Sequence, residues 1–265
     1  LFLFTRILIP DVTLTLAITL TLWAFLRLLE DPTASAGWWW MLWAAMGAGF
    51  LLKGLIAMVF PVAAALVYLA WMRRLTDRTV WRRIKPIRGS LLTAAICAPW
   101  VIAATLANPP YFDFTMRSVP GEYHGFFWFF FLNEHLFRFL NMRHPRDYNT
   151  VPRLLFWAFH LLWLFPWSAY FPSVAKLEFG RNSLAGRTRV LSLCWAGFLL
   201  VFFSFSTTQE YYSMPAYPAL ALLLGGAVAR RERWLRRATR ILGVLTALVA
   251  GLLAAILFAV RDMPA

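Results

Sequence analysis

Acidic residues are scarce in this 265-residue chain, with 12 Asp and Glu against 26 Lys and Arg, and charged side chains of both signs make up only 14% of it. So little charge beside 61% hydrophobic residues excludes an ordinary soluble domain. The apolar/polar alternation of a membrane barrel strand is missing, and no heptad or solenoid repeat is evident. Cysteine is nearly absent. Cys97 and Cys194 each fall inside an apolar run without metal-ligand spacing, so both read as buried apolar side chains. The chain opens on Leu1 with neither a signal peptide nor a basic leader, which predicts that it is the later part of a longer protein whose upstream portion is missing.

Long apolar runs are abundant. Eight spans of roughly 17 to 25 residues are expected at about 11–29, 38–52, 55–72, 90–106, 154–171, 190–205, 213–229 and 241–260. All read as helices, because a spanning segment must satisfy its own backbone hydrogen bonds. The predicted fold class is therefore an all-α integral membrane protein, a multi-span helical bundle. Residues 1–107 supply the helices of one bundle, 108–152 form a loop, and 153–265 supply the C-terminal helices.

A net charge of +14 and a pI near 10.8 would suggest nucleic acid in a soluble protein. Their distribution argues against it. Seven Lys/Arg lie in 73–88, four in 173–189 and six in 230–240, all in links between spans, where the positive-inside tendency makes them cytoplasmic. Alternation then places 108–152, the 206–212 link, the break at Lys53-Gly54 and the entry at Pro10-Asp11 outside. The link 30–36 should be cytoplasmic, yet only Arg27 is basic nearby.

The outer stretch 108–152 gathers three of the four histidines, four acids, four arginines and an aromatic run from Phe126 to Phe131. A long connection so furnished reads as a functional surface rather than a tether. Its Gly125 to Phe131 portion is expected to lie in the membrane surface as an interfacial helix. Beyond it, Glu134 and Arg138 share a helix face at a four-residue spacing, with His135 three residues from Arg138. Glu134 and His135 could instead hold a divalent metal, with further ligands from elsewhere. His124 and His144 stand alone. Lys53, between two helices meeting at the outer interface, reads as a cation facing an anionic headgroup or as a snorkelling lysine. Asp11, after a proline suited to a first helical turn, reads as a capping residue or a polar site residue. Glu210 and Tyr211 are further candidates at the bundle mouth.

Three pieces in order, Gly49-Phe50-Leu51-Leu52-Lys53-Gly54, Asn133 to Phe139 and Ser206 to Pro218, together with Phe165-Pro166-Trp167 and Pro10-Asp11, carry a resemblance over essentially the whole chain. It resembles the bacterial branch of the polyprenyl-phosphate-dependent membrane glycosyltransferases, which includes the lipid A aminoarabinose transferases, with the protein O-mannosyltransferases as distant relatives. The resemblance implies the GT-C membrane fold, a sugar donor on a polyprenyl phosphate, transfer at the periplasmic face of the bacterial inner membrane, and a lipid, glycan or protein acceptor. It also implies that Asp11, Lys53, Glu134 and His135 line the site, and that a catalytic carboxylate lies in a first outer loop upstream of this chain. The third motif departs from the family's commoner form: Thr207 rather than lysine follows Ser206, and Glu210 precedes the tyrosine.

Displacing a sugar from a lipid phosphate needs cations for the departing phosphate and a carboxylate for the acceptor proton. Lys53 and Arg138 suit the first task; no residue of the chain is assigned the second. A transporter or lipid flippase is the rival reading, with a non-enzymatic envelope scaffold a third.

Overall fold

The structure, a computed structural model, describes residues 9–146, 153–206, 210–230 and 233–260. Among the described residues every regular element is a helix. α1 (Pro10–Glu30) begins on a proline at its first turn, where the missing N–H costs nothing. α2 (Ala36–Lys53) returns beside it, and α3 (Ile56–Trp71) follows after two residues. The short α4 (Arg78–Ile84) is capped by the Asp77 carboxylate accepting from the Thr79 amide at 2.9 Å. Lys85, in the left-handed region, turns the chain into α5 (Pro86–Ala107).

The outer stretch then runs without regular structure to α6 (Gly125–Phe127), which continues as a π-helix over Trp128–Phe137 and ends in α7 (Arg138–Leu140). α8 (Arg153–Trp163) is followed by a 3-10 turn at Trp167–Tyr170 and by α9 (Phe171–Val174). α10 (Leu184–Phe205) leads through a 3-10 segment at Glu210–Ala216 to α11 (Tyr217–Ala229), and α12 (Arg233–Val260) closes the chain.

Eight spans were expected; five helices among the described residues are long and apolar enough to cross a membrane, at Pro10–Glu30, Arg78–Ala107, Leu184–Phe205, Tyr211–Ala229 and Arg233–Ala259. Prolines account for the largest departure. The expected span 154–171 holds Pro166, whose preceding bond is cis, and α8 ends before it, because proline offers no backbone donor to continue the ladder. The basic stretch 230–240, expected as a link, is helical from Arg233 onward. The final apolar span, 241–260, lies at the outside of the described bundle. It is exposed, and the first turns of α12 are held by Trp234 Nε1 donating to Ala169 O at 3.0 Å and by a Thr239–Tyr170 hydroxyl contact at 3.2 Å.

One apolar core runs through α1, α2, α3, α10 and the segment entering α11, centred on fully buried Leu14, Ile18, Phe60, Tyr68, Val190 and Leu199. Cys97 and Cys194 are buried and free, as expected. The weakly supported link 30–36 finds its basic partners through space. Arg83 donates to the carbonyls of Leu28 and Asp31 at 3.0 and 3.1 Å, and Arg187 Nε donates to Glu30 at 2.7 Å. That end of the bundle therefore gathers the 30–36 link with the 73–88 and 173–189 links. The opposite end carries Asp11, Lys53, the π-helix and the 3-10 segment before α11.

Candidate functional site

At that opposite end α2 stops at Lys53 because Gly54 takes φ 75°, and α3 restarts at Ile56. A side chain is excluded at Gly54 twice over. Its backbone is left-handed, and a Cβ there would lie 2.2 Å from His135 Nε2. The break leaves the amide of Leu55 without a helical acceptor, and it donates to His135 Nε2 at 2.9 Å. Since Nε2 accepts, the proton resides on Nδ1, which donates to the carbonyl of Phe130. His135 is thus a neutral strut between the α2–α3 break and the π-helix. Burial pushes its pKa below the ordinary histidine value of 6.5.

Lys53 forms an ion pair with Asp11, whose side chain is only 3% exposed against 23% for the lysine. Asp11 therefore acts as a buried counter-charge, not as a cap: the cap position of α1 is Ile9. Nor does Lys53 snorkel to solvent. Its ammonium also lies 4.7 Å from the centroid of the Tyr212 ring and 5.4 Å from that of Tyr211.

On the loop side, Glu134 accepts from Arg138 at 3.0 Å, the expected four-residue pair, and from Arg143 Nε at 2.8 Å. The Arg138 guanidinium carbon stands 5.7 Å from the same Tyr212 ring that Lys53 approaches. Glu210 opens the 3-10 segment, and its side chain lies outside the described residues. Arg143 and Tyr212 are contributors that sequence reading missed. For Arg143 no spacing signal exists, since nine residues separate it from Glu134. For Tyr212, the doublet Tyr211-Tyr212 marked the position, and only the fold decides which ring is buried.

The expected interfacial helix also packs against the bundle on one side. Trp128, Asn133 and Phe137 are buried, and Phe130 and Phe131 lie against Phe50 of α2 with ring centroids 5.7 and 6.5 Å away. Six aromatic residues in succession cannot all face one side of a helix: Phe130 and Phe131 meet Phe50 and the cavity, Phe126 meets Trp100 of α5, Phe127 meets Phe112 and Phe114, and Phe129 stays exposed, in and beside a π-helix, a geometry rare overall and frequent at functional sites. His124, expected to stand alone, joins a network. Its Nδ1 lies 2.7 Å from Asp113 and its Nε2 3.3 Å from Glu122. The Thr115 hydroxyl and amide, with His124, hold Asp113 at a pKa of about 2. His144 contributes through its backbone, its carbonyl accepting from Asn133 at 3.0 Å.

Together these elements enclose a cavity of about 460 Å³ with two unlike regions. Its polar pole is Asp11, Lys53, Glu134, His135, Arg138 and Tyr212, and its walls are Leu14, Val59, Phe60, Phe130, Phe131, Phe202 and Phe203. Glu134 and His135 do not fit a metal. Both histidine nitrogens are engaged with backbone, the carboxylate faces two arginines, and among the described residues no three His, Cys, Asp or Glu converge. The arrangement suits an anion with an apolar tail: two cations at one ring, each with a carboxylate partner, at the mouth of a hydrophobic slot.

Comparison with known proteins agrees with this geometry. Residues 1–102 match the dolichyl-phosphate-mannose-protein mannosyltransferase family. The undecaprenyl phosphate-α-4-amino-4-deoxy-L-arabinose arabinosyl transferase 1 of Pseudomonas fluorescens is 30% identical over 213 residues, 76% of this chain and 32% of that protein. The corresponding transferase of Pseudomonas aeruginosa is 32% identical over 204 residues, 74% of this chain and 31% of its own length. The chain thus spans about a third of the length of these relatives. The crystal structure of ArnT from Cupriavidus metallidurans bound to undecaprenyl phosphate superposes with a TM-score of 0.70 at 27% identity, covering 97% of this chain and 42% of that one. Its apo structure gives 0.66 at 26% identity. By fold, by the order of its motifs and by sequence, the chain is a multi-pass helical membrane protein that matches the polyprenyl-phosphate-dependent GT-C glycosyltransferases over about a third of their length.

Proposed function

We propose that this chain forms the donor-binding part of a glycosyltransferase that moves a sugar from a polyprenyl phosphate to an envelope acceptor. The convergence of Lys53 and Arg138 on Tyr212, at the polar end of an apolar cavity, carries this reading. The donor phosphate binds between the two cations, and the first isoprene units lie along Phe60, Phe130 and Phe202. In the transfer, an acceptor hydroxyl attacks the anomeric carbon and the carbon–oxygen pair departs onto the phosphate. Lys53 and Arg138 then stabilise charge where it develops. Asp11 and Glu134 hold these cations in place beforehand, and His135 fixes the break that carries Lys53. Tyr211, whose ring lies 5.4 Å from the Lys53 ammonium, borders the same mouth.

Asp11 and Glu134 are committed to cations, so neither is free to take the acceptor proton, and the base comes from elsewhere in the protein. The relatives' names support undecaprenyl phosphate-linked 4-amino-4-deoxy-L-arabinose as donor, and the family resemblance of the motifs adds lipid A as the acceptor class. Residues 108–152 form the active-site loop, and the three basic links support a periplasmic site in the bacterial inner membrane. Polar groups collected at one end, rather than at mid-bundle, favour transfer over transport.

Sugar transfer by the full-length protein tests this. Lys53→Ala and Arg138→Ala should each lower the rate at least about tenfold, roughly 1.4 kcal/mol in the barrier. Unchanged rates in both variants would overturn the reading.

A further inference from the structure

A second cavity of about 680 Å³ lies at the other end of the bundle, where α1 meets α10 and α11. It is unusual in its unsatisfied groups. Among the described residues six buried side-chain polar atoms lack a hydrogen-bond partner, and three of them, Arg27 Nε, Glu30 Oε1 and Trp195 Nε1, belong to residues lining this one cavity. Trp195 is only 3% exposed, so its indole N–H is an unpartnered donor removed from bulk water. Buried polar groups are almost always paired, and each one left over calls for an occupant.

The three orphans are chemically specific. Two are donors and one is an acceptor, and the acceptor belongs to a carboxylate whose other oxygen is held by Arg187 Nε at 2.7 Å. The Arg27 guanidinium is fixed from two further directions, by Asp31 at 2.9 Å and by the Trp38 ring 5.3 Å from its carbon. Its Nε–H remains for something else. The other walls include Leu22, Leu26, Leu191 and Leu222. An occupant must therefore offer an anionic acceptor to two N–H donors, a cationic or neutral donor to a carboxylate, and apolar chains to the leucines. A water molecule meets only the polar part of this.

We propose that this cavity binds a phospholipid through its headgroup, with phosphatidylethanolamine as the fitting chemistry. The phosphodiester accepts from Arg27 Nε and Trp195 Nε1, the ammonium donates to Glu30 Oε1, and the acyl chains lie along the leucines. A carboxylate favours a charged donor over a hydroxyl, which sets phosphatidylethanolamine above phosphatidylglycerol. Phosphatidylcholine has no N–H to offer at all. The basic links at this end are where anionic and zwitterionic headgroups of a cytoplasmic leaflet would be met. This site is separate from the donor cavity and does not depend on the function proposed for it.

Native mass spectrometry of the full-length protein in detergent, titrated with each of the three lipids, tests the assignment. The wild type should retain phosphatidylethanolamine in preference to both others. Trp195→Phe, which removes one N–H and little volume, should weaken it by about tenfold. Glu30→Gln should abolish the preference over phosphatidylcholine while phosphate-dependent binding persists. Lipid-free melting temperatures close to wild type confirm that the variants are folded, and Trp195→Phe alone decides should Glu30→Gln unfold. Equal retention of all three lipids, no retention by the wild type, or an unchanged affinity in a folded Trp195→Phe would each overturn it.

Discussion

Asp11 and Lys53 show how a residue pair can be legible in type and illegible in role. Pro10-Asp11 marked a helix start and Lys53-Gly54 a helix break, but the two side chains are 42 positions apart in sequence, and only the antiparallel packing of α1 on α2 joins them. Removing one partner of a buried pair leaves an uncompensated charge, at a cost of about 3–5 kcal/mol. Lys53→Ala and Asp11→Ala should each destabilise on that scale, and the double variant by clearly less than their sum. Additive losses in chemical unfolding would show that the two charges are not coupled.

His135 was read beside Glu134 as a site residue or a metal ligand, and the structure gives its ring a bracing task. Its two nitrogens serve the Leu55 amide and the Phe130 carbonyl, which requires the neutral form. Because burial lowers its pKa from 6.5 in the folded state, the unfolded chain binds more protons between the two values. The strut's contribution is fully present above pH 6.5 and is lost as pH falls from there through the depressed folded value. The protection factor of the Leu55 amide in hydrogen exchange should fall on acidification across that window in the wild type and be low at all pH values in His135→Ala. Chelators should leave wild-type transfer unchanged, since the ring has no nitrogen to spare. A chelator that reproduced the His135→Ala loss would restore the metal reading.

At the scale of elements, helix identity followed from apolar runs, and helix ends followed from glycine and proline only where those residues stood alone. Gly54 divided α2 from α3 where expected. Pro166 divided the expected span 154–171, leaving α8, a 3-10 turn and the start of α9, whose first turn holds Pro172. The π-helix had no signal in spacing, because the register of Phe126 to Phe131 is chosen by the aromatic residues of α2 and α5 that it meets, Phe50 and Trp100. Gly54 is where this element and the break touch. Gly54→Ala places a methyl group against His135 and in a left-handed backbone, so it should cost at least about 1–2 kcal/mol and weaken transfer more than Ala substitution at Gly180, where an added Cβ meets nothing within 4 Å. Equal behaviour of the two alanine variants would separate the break from the site.

At the scale of the molecule, two ends of one bundle do different things. The basic end was predicted from charge alone, and Arg83 and Arg187 bring the acidic 30–36 link into it. The opposite end collects the cations and carboxylates of the site because four separate segments, at Asp11, Lys53, Glu134 to Arg143 and Tyr212, terminate or bend there. No window of sequence contains more than one of them, and the motif order that carried the family resemblance is the order in which the chain returns to this end. The central claim is that Lys53 and Arg138 hold a lipid phosphate at Tyr212. Binding of undecaprenyl phosphate and of undecaprenol to the full-length protein separates the phosphate from the tail. Lys53→Met and Arg138→Met should each weaken undecaprenyl phosphate at least about tenfold, with undecaprenol bound alike by wild type and variants; undecaprenyl phosphate bound with equal affinity by all three proteins would contradict the account.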